Sequence, residues 1–178
     1  MAIIQGPESE NYGVRVVATL MCTAARTAPK AKGIDNIVTG LIDKQDKQKL
    51  VDTMREIAKD FDNETFARDA DAVEKCPILV LIGTKLSPIN LRLCGLCGFK
   101  DCVECVEKGG MCIFNPGDLG IAAGSAVAIA ADNRVDNRIM YSAGFAAVKL
   151  KLLGEEVKIA YGIPLSATGK NIFFDRKT

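Results

Sequence analysis

Histidine and tryptophan are both absent from the 178 residues of this sequence. The lack of histidine excludes a Ser–His–Asp or Cys–His nucleophilic pair, a histidine-ligated zinc hydrolase and a Rieske centre. Any metal ligand that this chain supplies must therefore be a cysteine thiolate or an oxygen atom.

The composition also gives no sign of a nucleic-acid surface or a membrane span. Aromatic residues make up 6% of the chain, and 23 basic residues are mixed with 22 acidic ones without a basic stripe. The longest uncharged run, 119–131, is shorter than the ~20 residues that a membrane helix needs. Residues 1–10 lack a basic region followed by an apolar stretch, so we expect no signal peptide and predict a cytoplasmic protein that binds neither nucleic acid nor membrane.

Seven cysteines are present, and five of them lie within residues 94–112. Because the cytoplasm is reducing, metal ligation or redox chemistry is expected here rather than disulfides. Cys94 and Cys97 form a C-x-x-C pair, which supplies two thiolates across one tight turn. Cys102, five residues later, would return the chain to the same metal and supply a third thiolate. Gly95 and Gly98 can adopt a positive φ, which would point backbone N–H groups at the sulfurs.

The apolar residues of this segment are predicted to shield a bound metal from water and so to influence its potential. They are Leu93, Leu96, Phe99, Val103, Ile113 and Phe114. The two remaining cysteines, Cys22 and Cys76, lie in a predicted helix and just before a predicted strand. Free cysteine is often fully buried, so both are interpreted as small core residues.

The spacing leaves the metal and the fourth ligand open. Thiolates bind both iron–sulfur clusters and zinc, and the pairs 94/97 and 102/105 would suit a tetrahedral zinc site. Free thiols or disulfides are a third interpretation. Cys112 competes with Cys105 for the fourth position, because it follows Gly109-Gly110 and precedes the turn-forming sequence Asn115-Pro116-Gly117.

Hydrophobic periodicity predicts a layered α+β domain covering residues 1–178, with the cysteine-rich stretch 91–117 as an inserted loop. Helices are predicted from Ser9 or Asn11 to Pro29, after Asp43, after Asn63, over 116–131 and over 137–152. Strands are predicted over 36–42, 77–83, 157–163 and 172–174. The last two helices are rich in alanine and glycine, which places them centrally or at a subunit interface.

The sequence Cys94-Gly-Leu-Cys97-Gly-Phe-x-x-Cys102 resembles the [4Fe–4S] domain of bacterial electron-transport complex subunits and corrinoid iron–sulfur proteins. That family has the pattern C-G-x-C-G-[FY]-x-x-C and a later cysteine before a proline–glycine stretch. The resemblance implies a [4Fe–4S] cluster held by Cys94, Cys97, Cys102 and Cys112. It also implies that Cys105 is not a ligand.

The whole chain resembles a family of bacterial and archaeal proteins described as containing a ferredoxin domain. More distantly, residues 24–31, Ala-Ala-Arg-Thr-Ala-Pro-Lys-Ala, resemble the A-x-x-A-P-S-A stretch of flavin-dependent nitroreductases, and the order of the later elements fits. This resemblance implies a nitroreductase-like scaffold, FMN as a candidate cofactor, and a homodimer with flavin sites between subunits. We expect Arg26, Lys30 and Lys32 to form a solvated basic turn, with a site for the flavin phosphate as the alternative interpretation.

The leading hypothesis is therefore a redox protein that moves single electrons to or from a redox partner protein or a small-molecule acceptor. An oxidoreductase activity, including a flavin-dependent one, is compatible with it, and the substrate is open. The alternative is a non-catalytic binding module in which zinc stabilises the inserted loop. The sequence alone does not identify a catalytic acid, base or nucleophile.

Overall fold

The computed structural model describes residues 3–174, which form an antiparallel sheet covered by helices on both faces. The four strands lie in the order β1-β2-β4-β3. This arrangement confirms the predicted layered α+β class. In chain order the elements are α1 (Gly6–Thr27), β1 (Ile37–Ile42), α2 (Lys44–Asp60), α3 (Glu64–Lys75), β2 (Ile78–Lys85), α4 (Cys102–Glu107), α5 (Phe114–Asp132), β3 (Asp136–Asn137), α6 (Tyr141–Lys149) and β4 (Val157–Ser166).

Strand β2 is the centre of the fold and pairs with β1 on one side and β4 on the other. Side chains alternate across a strand, so Ile78, Val80 and Ile82 enter the core beneath α1 and α5. Leu79 and Leu81 enter the opposite core beneath α2, α3 and α6. The continuous apolar run predicted a strand that is covered on both faces, and this is what the structure shows.

The helix boundaries follow local signals in the sequence. The side chain of Asn63 accepts a hydrogen bond from the Thr65 N–H at 3.0 Å, which starts α3 where it was predicted. Asp43 is the N-cap of α2, as predicted, but its carboxylate pairs with Arg15 at 2.6 Å instead of capping the helix. Helix α1 ends just before Pro29, since the residue before a proline avoids the helical region.

Two predicted elements are wrong. Residues 172–174 form a turn instead of a strand, and the side chain of Asn171 accepts the Phe173 N–H at 3.0 Å there. The last helix begins at Tyr141 instead of residue 137, because Asp136–Asn137 pair with the end of β4 as a short strand. Strand β4 continues to Ser166, beyond its predicted end, and its extra length provides this pairing edge.

The two glycine-rich helices use their small residues differently. Helix α6 packs closely on β4, and a Cβ at Gly144 would overlap the backbone carbonyl of Ala160. On α5 a Cβ at Gly117, Gly120 or Gly124 would meet nothing within 4 Å, so these three glycines face outward. Among the described residues, no helix is both long and apolar enough to cross a membrane.

Candidate metal centre

The cysteine-rich segment connects the end of β2 to the start of α5, and both of these elements belong to the core. The thiols of Cys94, Cys97 and Cys102 are half-buried. Cys105 and Cys112 are buried, at 2% and 9% exposure. The segment therefore has an outer set of three cysteines and an inner set of two. The final residues of the predicted insertion, 114–117, form the first turn of α5.

The turn around the C-x-x-C pair has the predicted conformation. Gly95 has φ 142° and Gly98 has φ 86°, both in the region that favours glycine. The N–H of Gly98 donates to the carbonyl of Gly95 at 2.9 Å, which closes the turn. Leu93, just before the pair, also has a positive φ of 58°, an uncommon conformation for a residue with a branched side chain.

Helix α4 was not predicted as an element, although its N-terminus has clear capping signals. The carboxylate of Asp101 accepts the Glu104 N–H at 2.9 Å, and Glu104 accepts the Lys100 N–H at 2.7 Å. These reciprocal bonds satisfy donors at the helix start. Residues three apart share a helix face, so Cys102 and Cys105 lie on the same side of α4.

The inner cysteine Cys105 interacts with three other thiols of the segment. Burial raises the pKa of Cys105, and a hydrogen bond with Cys97 and the nearby thiols of Cys112 and Cys102 raise it further. Within the described residues 3–174, Cys94 is not one of the groups that shift this pKa. Cys97, Cys102 and Cys112 thus each interact with Cys105.

The donor set suits a thiolate-bound metal, although the thiols do not form a closed cage. All seven cysteines are free of disulfides. In the part of the chain that the structure describes, no three His, Cys, Asp or Glu side chains are close enough together to hold one metal ion. A set made only of thiols matches iron–sulfur clusters and zinc in chemistry. A single metal ion would require these thiols to lie closer together.

The predicted apolar shield is wrong for most of its members. Leu93, Leu96, Val103 and Ile113 are 98%, 70%, 65% and 46% exposed to solvent. Phe99 and Phe114 are half-buried, and a Cβ at Gly110 would overlap the Phe99 ring. We call the exposed side chains the apolar rim: Leu93, Leu96, Val103, Val106, Met111 and Ile113.

A recess of about 250 Å³ lies behind the inner cysteines, and Cys105, Cys112 and Asn115 line it. Asn115 is 1% exposed, and its Oδ1 accepts the backbone N–H of Ser87 at 3.0 Å. Its Nδ2 is one of two buried side-chain polar atoms without a partner among the described residues; the other is Nδ2 of Asn36. A buried donor left unpaired costs about 1–3 kcal/mol, so its presence needs an explanation.

The basic turn at residues 26–32 is occupied by internal contacts. The ammonium group of Lys30 is buried and donates to the carbonyls of Ala28 at 2.8 Å and Arg26 at 2.6 Å, which caps the end of α1. Arg26 pairs with Asp35 at 2.5 Å and donates to the Ile37 carbonyl at 2.8 Å. The expected solvated turn is therefore wrong for Lys30, whose side chain is 5% exposed, and the internal contacts of Arg26 and Lys30 also weigh against the alternative of a phosphate site.

A buried carboxylate links the same turn to α5, and no sequence pattern predicted it. Asp118, which is 5% exposed and directly follows the first turn of α5, accepts the Ala31 N–H with both oxygens at 3.1 Å. The sequence separation is 87 residues, so no local pattern indicates this contact. Asp118 thus attaches the turn after α1 to the helix that follows the cysteines.

The remaining two cysteines belong to the core, as predicted. Cys76 is 1% exposed, its thiol donates to the Ala72 carbonyl at 3.1 Å, and burial raises its pKa to about 12. Cys22 is half-buried and packs against the core beneath α1 and α5. Neither residue lies in the cysteine-rich segment.

The fold is nitroreductase-like. A BluB-like flavoprotein from Clostridium difficile 630 matches with a TM-score of 0.59 and 20% identity, covering 99% of this chain and 87% of that one. A nitroreductase family protein from Clostridium novyi NT matches with a TM-score of 0.59 and 14% identity, covering 98% and 79%. The FMN-dependent nitroreductase NfnB from Mycobacterium smegmatis, solved with NADPH, matches with a TM-score of 0.55 and 11% identity, covering 89% of this chain and 81% of that one.

An uncharacterized protein of Archaeoglobus fulgidus is 39% identical over 182 residues, which cover 98% of this chain and 97% of that protein. Residues 108–176 match the family described as "uncharacterized protein containing a ferredoxin domain (DUF2148)". The chain belongs to this family. The matched range includes Cys112 and none of the other four cysteines of the segment.

Proposed function

We propose that this protein transfers single electrons through a [4Fe–4S] cluster bound in the cysteine-rich segment. The observation that carries the proposal is the gathering of free thiols between β2 and α5, with the turn glycines Gly95 and Gly98 in positive-φ conformations. The C-G-x-C-G-F-x-x-C pattern gives the ligand set. It is Cys94, Cys97, Cys102 and Cys112.

The bound cluster would supply reversible one-electron chemistry. The chain would contribute thiolates for ligation, a tight glycine turn that presents Cys94 and Cys97, and a core that anchors both ends of the segment. The apolar rim supports contact with a partner, because contiguous exposed apolar side chains mark interaction surfaces. We propose that the partner is a redox protein or a small-molecule acceptor that approaches at this rim.

The contacts of Cys105 favour a second ligand set. In it Cys105 takes the place of Cys94, since Cys97, Cys102 and Cys112 are the thiols that surround Cys105. A third set, with the pairs 94/97 and 102/105, would leave Cys112 free and would suit zinc. Each set omits a different cysteine, so single serine substitutions distinguish all three.

Flavin-dependent reduction is a second candidate function, and the fold favours it, because one of the structural neighbours is an FMN-dependent nitroreductase. In this chain Arg26 and Lys30 are engaged in internal contacts. Lys32 is exposed, and it is the one of the three residues of the basic turn that remains a candidate to hold the flavin phosphate. With FMN bound, the cluster would exchange electrons with the flavin.

A homodimer would cover the outer face of α5. This face carries Gly117, Gly120 and Gly124 with open space around them, and Ile121 at 48% exposure. It has no charged residue between the buried Asp118 and Asp132 at the helix end. Small uncharged residues allow close helix–helix contact, so we propose a second copy of the chain as the occupant of this face.

The test is the spectrum and metal content of anaerobically purified protein. A brown protein with broad visible absorption, iron and acid-labile sulfide in equal amounts, and an EPR signal after reduction is the expected result. A colourless protein with stoichiometric zinc would overturn the proposal and favour the zinc-stabilised module. The same spectrum detects bound flavin and so tests the second candidate.

A further inference from the structure

We propose that Asn115 is a positioning residue of the cysteine centre, whose side-chain Nδ2 donates a hydrogen bond to a sulfur of the bound cluster and raises its reduction potential. This inference rests on the proposed function. It assigns a role to a residue that the cysteine pattern leaves out.

The orientation of the Asn115 amide follows from its partner. The backbone N–H of Ser87 is a donor, so the atom that it contacts at 3.0 Å must be the amide oxygen. The two N–H bonds of Nδ2 are then left without an acceptor among the described residues. This contact fixes which amide atom is oxygen and which is nitrogen. The unpaired group is therefore the Nδ2 donor, and its acceptor lies outside the described residues.

The surroundings of Asn115 offer sulfur as an acceptor. Asn115 lines the recess together with Cys105 and Cys112. Its backbone N–H also donates to the Cys112 carbonyl at 3.0 Å, so the side chain is held within one turn of that cysteine. The backbone N–H of Ser87 holds the amide oxygen of Asn115. This contact leaves the side chain little freedom to rotate away from the recess. A cluster bound by Cys112 would therefore present its sulfurs to a donor that is already in place.

The expected electronic effect has a definite sign. Reduction adds negative charge to the cluster, and a hydrogen bond to sulfur stabilises the more negative state. Removal of the donor should therefore lower the reduction potential. Two substitutions remove it in different ways: Asn115→Asp keeps an oxygen for the Ser87 N–H, and Asn115→Leu is similar in size and adds no charge.

Asn36 provides a matched control. Its side-chain Nδ2 is the other buried side-chain polar atom without a partner in the described residues. The backbone carbonyl of Asn36 accepts the Lys85 N–H at 3.0 Å, near the same end of the sheet. Asn36 is not among the residues that line the recess. Asn36→Asp and Asn36→Leu thus repeat the chemical change away from Cys105 and Cys112.

The experiment is a redox titration of the reconstituted proteins followed by EPR, with iron content and apoprotein unfolding measured in parallel. At the potential where the wild-type cluster is half reduced, the ratio of reduced to oxidised cluster should be at least tenfold lower in both Asn115 variants. For a one-electron couple this corresponds to a reduction potential lower by about 59 mV or more. In the Asn36 variants this ratio should stay within twofold of the wild-type ratio. A ratio within twofold of wild type for Asn115→Leu at full iron content would overturn the inference.

Loss of the cluster in a variant is also decisive. If Asn115→Leu loses iron but the apoprotein unfolds at the wild-type temperature, the residue acts on the centre and the inference stands. If the apoprotein is destabilised in parallel with the loss, Asn115 is structural and the inference is wrong. A wild-type protein without iron would instead remove the proposed function, so the two failures are separable.

Discussion

The hydroxyl of Ser142 donates a 2.5 Å hydrogen bond to the carboxylate of Asp69, and both residues are buried between α3 and α6. The second oxygen of Asp69 accepts from Arg68, whose side chain is half exposed. The buried carboxylate is therefore satisfied from two sides. This pair is the polar contact that fixes α6 to the helical layer beside β4.

Ser142→Ala should lower the free energy of unfolding by about 1–3 kcal/mol, because one oxygen of a buried carboxylate loses its donor. Urea unfolding followed by circular dichroism measures the change. Ser125→Ala is the control, since its hydroxyl donates to the neutral carbonyl of Ala24 at 3.2 Å, and about 0.5–1.5 kcal/mol is expected there. Equal costs at both sites would contradict a special role for Asp69.

Gly144→Ala should destabilise the protein by about 1–3 kcal/mol, because the added methyl would overlap the backbone of β4 at Ala160 and force α6 away. Gly13→Ala in α1 is the control, since nothing lies within 4 Å of its Cβ position. There the better helix propensity of alanine should stabilise by up to about 1 kcal/mol. The expectation of close α6–β4 packing would be wrong if Gly144→Ala were neutral in thermal unfolding.

Three serine variants assign the cluster ligands through iron content and EPR after anaerobic reconstitution. For the proposed set, Cys105→Ser keeps the cluster, while Cys94→Ser and Cys112→Ser lose or convert it. If Cys94→Ser is the variant that keeps it, the ligands are Cys105 and the three thiols that interact with it, Cys97, Cys102 and Cys112. Retention of the metal in Cys112→Ser would identify the two C-x-x-C pairs and point to zinc.

The thiol of Cys76 should resist alkylation in the folded protein. Burial raises its pKa to about 12, so at about pH 8 almost no thiolate, the reactive form, is present. Iodoacetamide treatment of metal-free protein, followed by peptide mass analysis, should modify the half-buried Cys94 and leave Cys76 intact. Modification of both at the same rate would contradict the assignment of Cys76 to the core.

Ile121→Glu should convert the proposed dimer into a monomer in light scattering, because it places a charge in the uncharged outer face of α5. Ile121 is 48% exposed in the isolated chain. Phe61→Glu is the control: Phe61 is 74% exposed at the end of α2, in the opposite helical layer. A wild-type monomer at micromolar concentration would remove the dimer proposal.

The sheet and the long helices could be predicted from the sequence because their signals are local. The apolar run of β2 and the cap at Asn63 each lie within a few residues of the element that they define. Helix α4 and β3 are too short, at six and two residues, for periodicity to reveal them. Strand β3 exists only because the far end of β4 offers it a partner.

The candidate site was predictable in its cysteines and turn glycines but not in its surroundings. Asn115 and Asp118 act through partners 28 and 87 residues away, which no local pattern indicates. The residues of the apolar rim are hydrophobic, but hydrophobicity does not determine which way a loop side chain points. Lys30 illustrates the same difficulty, since its use as a helix cap depends on how the chain turns after Pro29.

The two hydrophobic cores take none of their buried residues from positions 90–113 among the residues described. The sheet and its helices can therefore close around β2 before any metal arrives, unlike small zinc domains, in which metal binding and folding are one event. For the proposed cluster, this implies an order of biogenesis in which the completed scaffold comes first and the cluster is inserted afterwards, as a separate maturation step. Iron starvation would then leave folded protein without its cluster, which can be loaded later.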